Sequence, residues 1–118
     1  MSTEQTAAVV GRRLEVIGTG DVDAIMEDYT EDSTIYTPDG PVKGLEAIRV
    51  LFELFFAGPF AEVHSFDVLR QDCEGEFAYL LWKADTAAVE IPVATDTFVI
   101  RDGKIVDQSV AAHIIAKG

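Results

Sequence analysis

The stretch Asp21–Phe56 reads DVDAIMEDYTEDSTIYTPDGPVKGLEAIRVLFELFF. Its hydrophobic period changes along the way, and those changes decide the fold. Asp21 suits a helix N-cap, because its carboxylate can accept backbone N–H groups of the first turn. Ile25, Met26 and Tyr29 then recur at helical spacing. Ser33–Thr37 is β-branched and aromatic, which predicts a strand. Pro38-Asp39-Gly40-Pro41 is turn chemistry. After Gly44, Leu45, Ile48, Leu51, Phe52 and Phe55 form a wide apolar stripe, so a third helix should cover a large apolar surface.

Upstream, Ser2 and Gln5 have the spacing of a capping box. Val10, Leu14 and Ile17 make an apolar stripe that Gly18-Thr19-Gly20 ends. Arg13 sits between the stripe positions. Either its stem lies along the core edge with the head in water, or it is a cation at the rim of an internal pocket. Downstream of Gly58-Pro59 the pattern becomes extended, with strands expected at Ala61–Gln71, Glu76–Ala84, Ala88–Arg101 and Lys104–Ile115. Asp72-Cys73-Glu74-Gly75 and Asp102-Gly103 read as turns. Pro92 places an edge or a bulge in the third long strand. This order predicts an α+β fold: three helices packed on one curved antiparallel sheet, as a single domain over residues 1–118.

Net charge is -12, which excludes a nucleic-acid or anionic-membrane surface as the expected partner. The 48% hydrophobic content is that of a globular chain with a real core. One cysteine, Cys73, forms no internal disulfide, which fits a reducing cytoplasm. The N-terminal MSTEQTAAVV has no signal-peptide pattern, and no apolar run is long enough for a bilayer. A cytoplasmic protein is therefore expected.

The strands carry apolar residues on both faces. Phe77, Tyr79 and Leu81 point one way, and Ala78, Leu80 and Trp82 the other. Helices can cover one face, and a second subunit is the simplest cover for the other. A homodimer through the outer face is expected from this strand, with Trp82 fitting either the core or that contact. In the last strand, Val106, Gln108, Val110, Ala112 and Ile114 should look inward, and Gln108 needs hydrogen-bond partners there.

No metal constellation or cofactor motif is apparent. His64 and His113 have no neighbours at ligand spacing, and there is no phosphate loop, dinucleotide fingerprint or nucleophile elbow. Asp96 stands out instead. It shares a face with Ala94, Phe98 and Ile100, where a carboxylate must be paired, hydrogen-bonded or protonated unless it faces solvent.

The order Gly20-Asp21, Ala24-Ile25, Tyr29, Asp32, Pro38, Gly44, Ala47-Ile48, Phe52 resembles the opening of the SnoaL-like and ketosteroid-isomerase-like branch of the NTF2-like superfamily. Arg101-Asp102-Gly103-Lys104-Ile105 resembles its last hairpin. The resemblance implies the NTF2-like cone (a cystatin-like roll), and dimers. It places Asp96 where the isomerases carry their oxyanion-hole aspartic acid, a carboxylic acid that an apolar site keeps neutral. It also implies a hydrogen-bonding role for Tyr29 and a pocket position for Asp28. The isomerase base falls on Thr37, which cannot abstract a carbon-bound proton, and the isomerase helix tyrosine falls on Arg13. The cyclase acid of the last strand falls on Val110, and the histidine before the hairpin on Asp96. Neither catalytic set is intact.

Two functions follow. One is a cofactor-independent isomerase, cyclase or dehydratase acting on a small hydrophobic molecule, with Asp96 as acid and Arg13, Tyr29 or Gln108 polarising an oxygen. The other is a non-catalytic ligand-binding or dimerisation module. The pocket residues expected are Arg13, Asp28, Tyr29, Thr37, Phe52, Phe98, Gln108 and Val110. The geometry that separates the two is whether the polar set lines one open cavity or the phenylalanines fill it.

Overall fold

The computed structural model describes residues 2–118. The first helix, α1, spans Thr3–Thr19. Ser2 accepts from the Gln5 backbone N–H, and the Gln5 side chain accepts from the Ser2 N–H at 2.8 Å, which completes the capping box. Gly20 closes the helix at φ 69, a left-handed conformation that glycine adopts without a Cβ penalty. The short helix α2, Val22–Met26, starts on Asp21, whose carboxylate accepts from Ala24 N at 3.2 Å. It ends before Tyr29, which follows in irregular chain and is buried.

Strand β1 spans Thr34–Thr37 and β2 spans Gly40–Lys43. The sequence predicts only a turn after Thr37, but the chain folds back and pairs antiparallel, Thr37 with Gly40 and Thr34 with Lys43. A four-residue strand containing Pro41 has too little pattern to be read. Pro41 is tolerated because β2 is the edge of the sheet, where a missing N–H breaks no second ladder. Helix α3 is Leu45–Ala57, with Ile48 and Phe52 buried beneath it.

Four long strands follow: β3 Val63–Glu74, β4 Phe77–Thr86, β5 Val89–Arg101 and β6 Lys104–Ala116. Cys73, expected in a turn, lies within β3 and packs against the core; the turn is Gly75-Glu76. The six strands form one sheet in the order β2-β1-β6-β5-β4-β3. All neighbours are antiparallel except β1 and β6, which run parallel from Thr34–Asp107 to Tyr36–Ser109. This parallel pair is not expected from the sequence, because it joins distant segments and no local signal encodes it.

The sheet is curved and unclosed. Register shifts fall between Trp82 and Ala84 against β5, and between Glu90 and Val93 against β6. Both bracket Pro92, so the proline sits at a bulge in an interior strand, and bulges bend the strands that carry them. A further shift between Val99 and Ile100 pairs Ile100 with Ile105 and leaves Val106 as the extra residue. Ile105 therefore turns inward and is fully buried, in place of the expected Val106.

On β4 the inner face carries Ala78, Leu80, Trp82 and Ala84, all buried. This places Trp82 in the interior, not in a subunit contact, and leaves Phe77, Tyr79 and Leu81 outside. The core closes where Val10, Ile25, Ile35, Ile48, Phe98, Ile100 and Ile105 meet, all at or near complete burial. Further along the cone that density is replaced by a space between the concave sheet face, α1 and α3.

Candidate functional site

That space is a cavity of about 260 Å³. From α1 its wall takes Arg13, Leu14 and Ile17, and from α3 Leu51, Phe52 and Phe55. Phe60, Phe66 and Trp82 line one side, where Phe55 and Phe60 stack at 4.3 Å and Phe66 lies 5.2 Å from Trp82. The sheet contributes Leu80, Ile91, Asp96, Gln108, Val110 and Ala112, and the β1–β2 turn contributes Thr37 and Pro38. The wall is thus overwhelmingly apolar with a few convergent polar groups, which is the usual character of a small-molecule site.

Arg13 does not reach water. Thr6, Val10 and Arg13 form the buried face of α1, and Arg13 is 5% exposed. Its guanidinium lies 5.2 Å from the Phe98 ring centroid, 5.5 Å from Phe52 and 5.6 Å from Tyr29. Three aromatic faces replace part of the hydration a buried cation loses. The Nη1 atom is enclosed and has no hydrogen-bond partner.

Asp96 lines the same cavity from the middle of β5. The Trp82 indole N–H donates to its Oδ2 at 3.2 Å, whereas Oδ1 is enclosed without a partner. Burial raises the Asp96 pKa above the ordinary 3.8, because desolvation disfavours the carboxylate. The Arg13 charge and the Trp82 and Gln108 side chains oppose that rise without cancelling it. The acid is therefore held towards its neutral form, which can donate a proton.

Behind this pair, the Tyr29 hydroxyl donates to Gln108 Oε1. Burial pushes the Tyr29 pKa up to about 12, against the lowering effect of Arg13. Tyr29 stays a neutral donor and holds the Gln108 amide, which answers the need for a partner on that apolar face. Gln108, Arg13 and Asp96 all line the cavity, and both Arg13 and Gln108 act on the Asp96 carboxyl.

The other expected residues divide. Phe52 and Val110 are apolar wall, and Thr37 reaches the rim, where its hydroxyl donates to Gly40 O at 2.9 Å and so holds its own turn. Tyr29 and Phe98 lie behind the wall, against Arg13. Asp28 is brought elsewhere: it is fully buried and paired with Arg12, the neighbour of Arg13 on α1. Sequence reasoning did not single out Trp82 as a donor to Asp96, nor the aromatic wall of Phe60 and Phe66. Cross-strand pairing of Trp82 with Ala94, two residues before Asp96, is the tertiary fact that makes that contact. Among the described residues no group of His, Cys, Asp and Glu could hold a metal ion, and no helix is long and apolar enough to cross a membrane.

Comparison with known proteins places this geometry in a family. No significant match is found among curated proteins. An NTF2-like protein of unknown function from Mesorhizobium loti is 24% identical, with a TM-score of 0.75 over 94% of this chain and 93% of that one. One from Burkholderia xenovorans LB400, also of unknown function, is 18% identical, with a TM-score of 0.79 over 100% and 90%. A protein from Kribbella flavida DSM 17836, provisionally named a ketosteroid isomerase, is 13% identical, with a TM-score of 0.76 over 98% and 83%. At these identities the structures establish a shared fold and nothing of the chemistry. The family model of the SnoaL-like domain matches residues 10–108, and on that match the chain belongs to the SnoaL-like family, with the NTF2-like fold.

Proposed function

We propose that the protein binds a small hydrophobic molecule in the cone cavity and acts on it as a cofactor-independent isomerase, cyclase or dehydratase, with Asp96 as the proton donor. The observation that carries this reading is Asp96, a buried acid on the wall of an apolar cavity, whose Oδ1 has no partner in the protein. Burial favours the protonated carboxyl, which donates to an oxygen of the ligand, and Gln108 and Arg13 line the same cavity to polarise it. General acid catalysis of this kind contributes about a hundred- to ten-thousand-fold. Residence in the cytoplasm, supported by the single free Cys73, and a homodimer are part of the same proposal.

A second reading, a non-catalytic binding module, is favoured by Thr37. At the position of the isomerase base it offers only a hydroxyl, already donated to Gly40 O. Native mass spectrometry of the purified protein should find a retained small molecule. Once that molecule or a substrate is in hand, Asp96→Asn decides: lost turnover with retained binding supports the enzyme, and unchanged binding and turnover retires Asp96.

A further inference from the structure

Arg13 presents a charge without a counterion. The residue is 5% exposed and its Nη1 meets no acceptor. The ion pairs of the described residues engage Arg12, Arg49, His64, Arg70, Arg101 and Lys117, and Arg13 is in none of them. Two acids lie inside the cone. Asp28 is taken by Arg12. Asp96 lines the same cavity as Arg13 but forms no ion pair with it, and its Oδ2 accepts from Trp82. A guanidinium stays cationic in proteins, and burying it unpaired is costly. Aromatic faces at 5.2–5.6 Å offset part of that cost but leave Nη1 without an acceptor.

We infer that the cavity is built for an apolar monocarboxylate, whose carboxylate accepts from the Arg13 guanidinium on the cavity wall and whose hydrocarbon part lies along Phe55, Phe60 and Trp82. This rests on the reading of the cavity as a small-molecule site and narrows its ligand class. A single negative charge matches the one cationic side chain in the cavity lining. A second negative charge would find no further cation in the lining to offset it. Burial raises the Asp96 pKa, and in its protonated form the acid fits beside a carboxylate because it can donate to one of its oxygens. Size sets the chain length. An apolar cavity of about 150 Å³ accommodates benzene, so this larger one of about 260 Å³ accommodates roughly ten heavy atoms by the same scale.

Octanoate and octanamide have that size and differ in charge, so they form the test. Titration calorimetry on the wild-type protein, stripped of any retained ligand, should show octanoate binding at one per chain and octanamide at least about tenfold weaker, the worth of a charge-assisted hydrogen bond. Arg13→Met removes the cation at similar volume and should abolish the preference, leaving both weak. The wild-type comparison needs no variant, so it stands even if Arg13→Met does not fold. Equal affinities for octanoate and octanamide would overturn the monocarboxylate inference while leaving the small-molecule reading intact. Binding of neither would overturn both.

Discussion

At the scale of single residues, Asp96 makes the stability of the protein depend on pH. Its folded pKa lies above the ordinary 3.8, so the native state keeps a proton that the unfolded chain has released. That contribution favours folding at low pH. It is lost as pH rises from about the ordinary value through the raised one, and the loss stays constant above it. Asp96→Asn keeps an acceptor for Trp82 and removes the titration. Urea denaturation should therefore find the variant gaining on the wild type between pH 4 and pH 7. A variant that instead falls behind at pH 7 would mean that Asp96 is a carboxylate held by Arg13. Tyr29 is tested in the same way. Tyr29→Phe leaves Gln108 Oε1 buried without its donor and should cost about 1–3 kcal/mol. No measurable loss would show that water reaches Gln108.

At the scale of elements, two helices, α1 and α3, position the part of the cavity wall that faces the sheet. Helix α1 carries Arg13 and begins on the Ser2–Gln5 capping box. Ser2→Ala should cost about 1 kcal/mol in thermal or urea unfolding, the usual worth of such a cap. Helix α3 carries Phe52, which touches Arg13 and Tyr29 and is 7% exposed. Phe52→Ala should cost about 3 kcal/mol, at the low end for a buried phenylalanine because one side already faces the cavity. A loss below about 1 kcal/mol would mean that the site collapses or fills with water at little expense.

For the whole molecule, the uncovered face is the outside of β4 and β5. Phe77, Tyr79 and Leu81 stand there opposite Val99, Thr97 and Thr95. Phe77 is half exposed, whereas Leu80 and Trp82 are committed to the interior. We propose that a second copy covers this outer face. Light scattering at micromolar concentrations should give about twice the 12.9 kDa chain mass, and Leu81→Arg should return it to one chain. A monomer in the wild type would sink the proposal.

The sequence by itself determined what depends on near neighbours. The caps at Ser2 and Asp21, the stripe of α3 and the hairpin at Asp102-Gly103 are all written in spacings of a few residues, whereas Pro92 allowed an edge or a bulge until the sheet order made it a bulge. The order of those elements, with the family resemblance, was enough for the fold. Asp96 was legible too, because a carboxylate alternating with Ala94, Phe98 and Ile100 is anomalous within one strand. Only the tertiary structure decided the rest. β2 exists because β1 is there to pair with it, and the parallel β1–β6 contact joins distant segments. Ile105 faces inward because one register shift at Val99 inverts the pleat. Arg13 is the sharpest instance. On a helical projection it could snorkel or be buried, and the choice was made by Tyr29, Phe52 and Phe98 arriving from three other parts of the chain to surround it. Burial is a property of what packs against a residue, so a side chain at the edge of a stripe has no fixed environment until the fold supplies one.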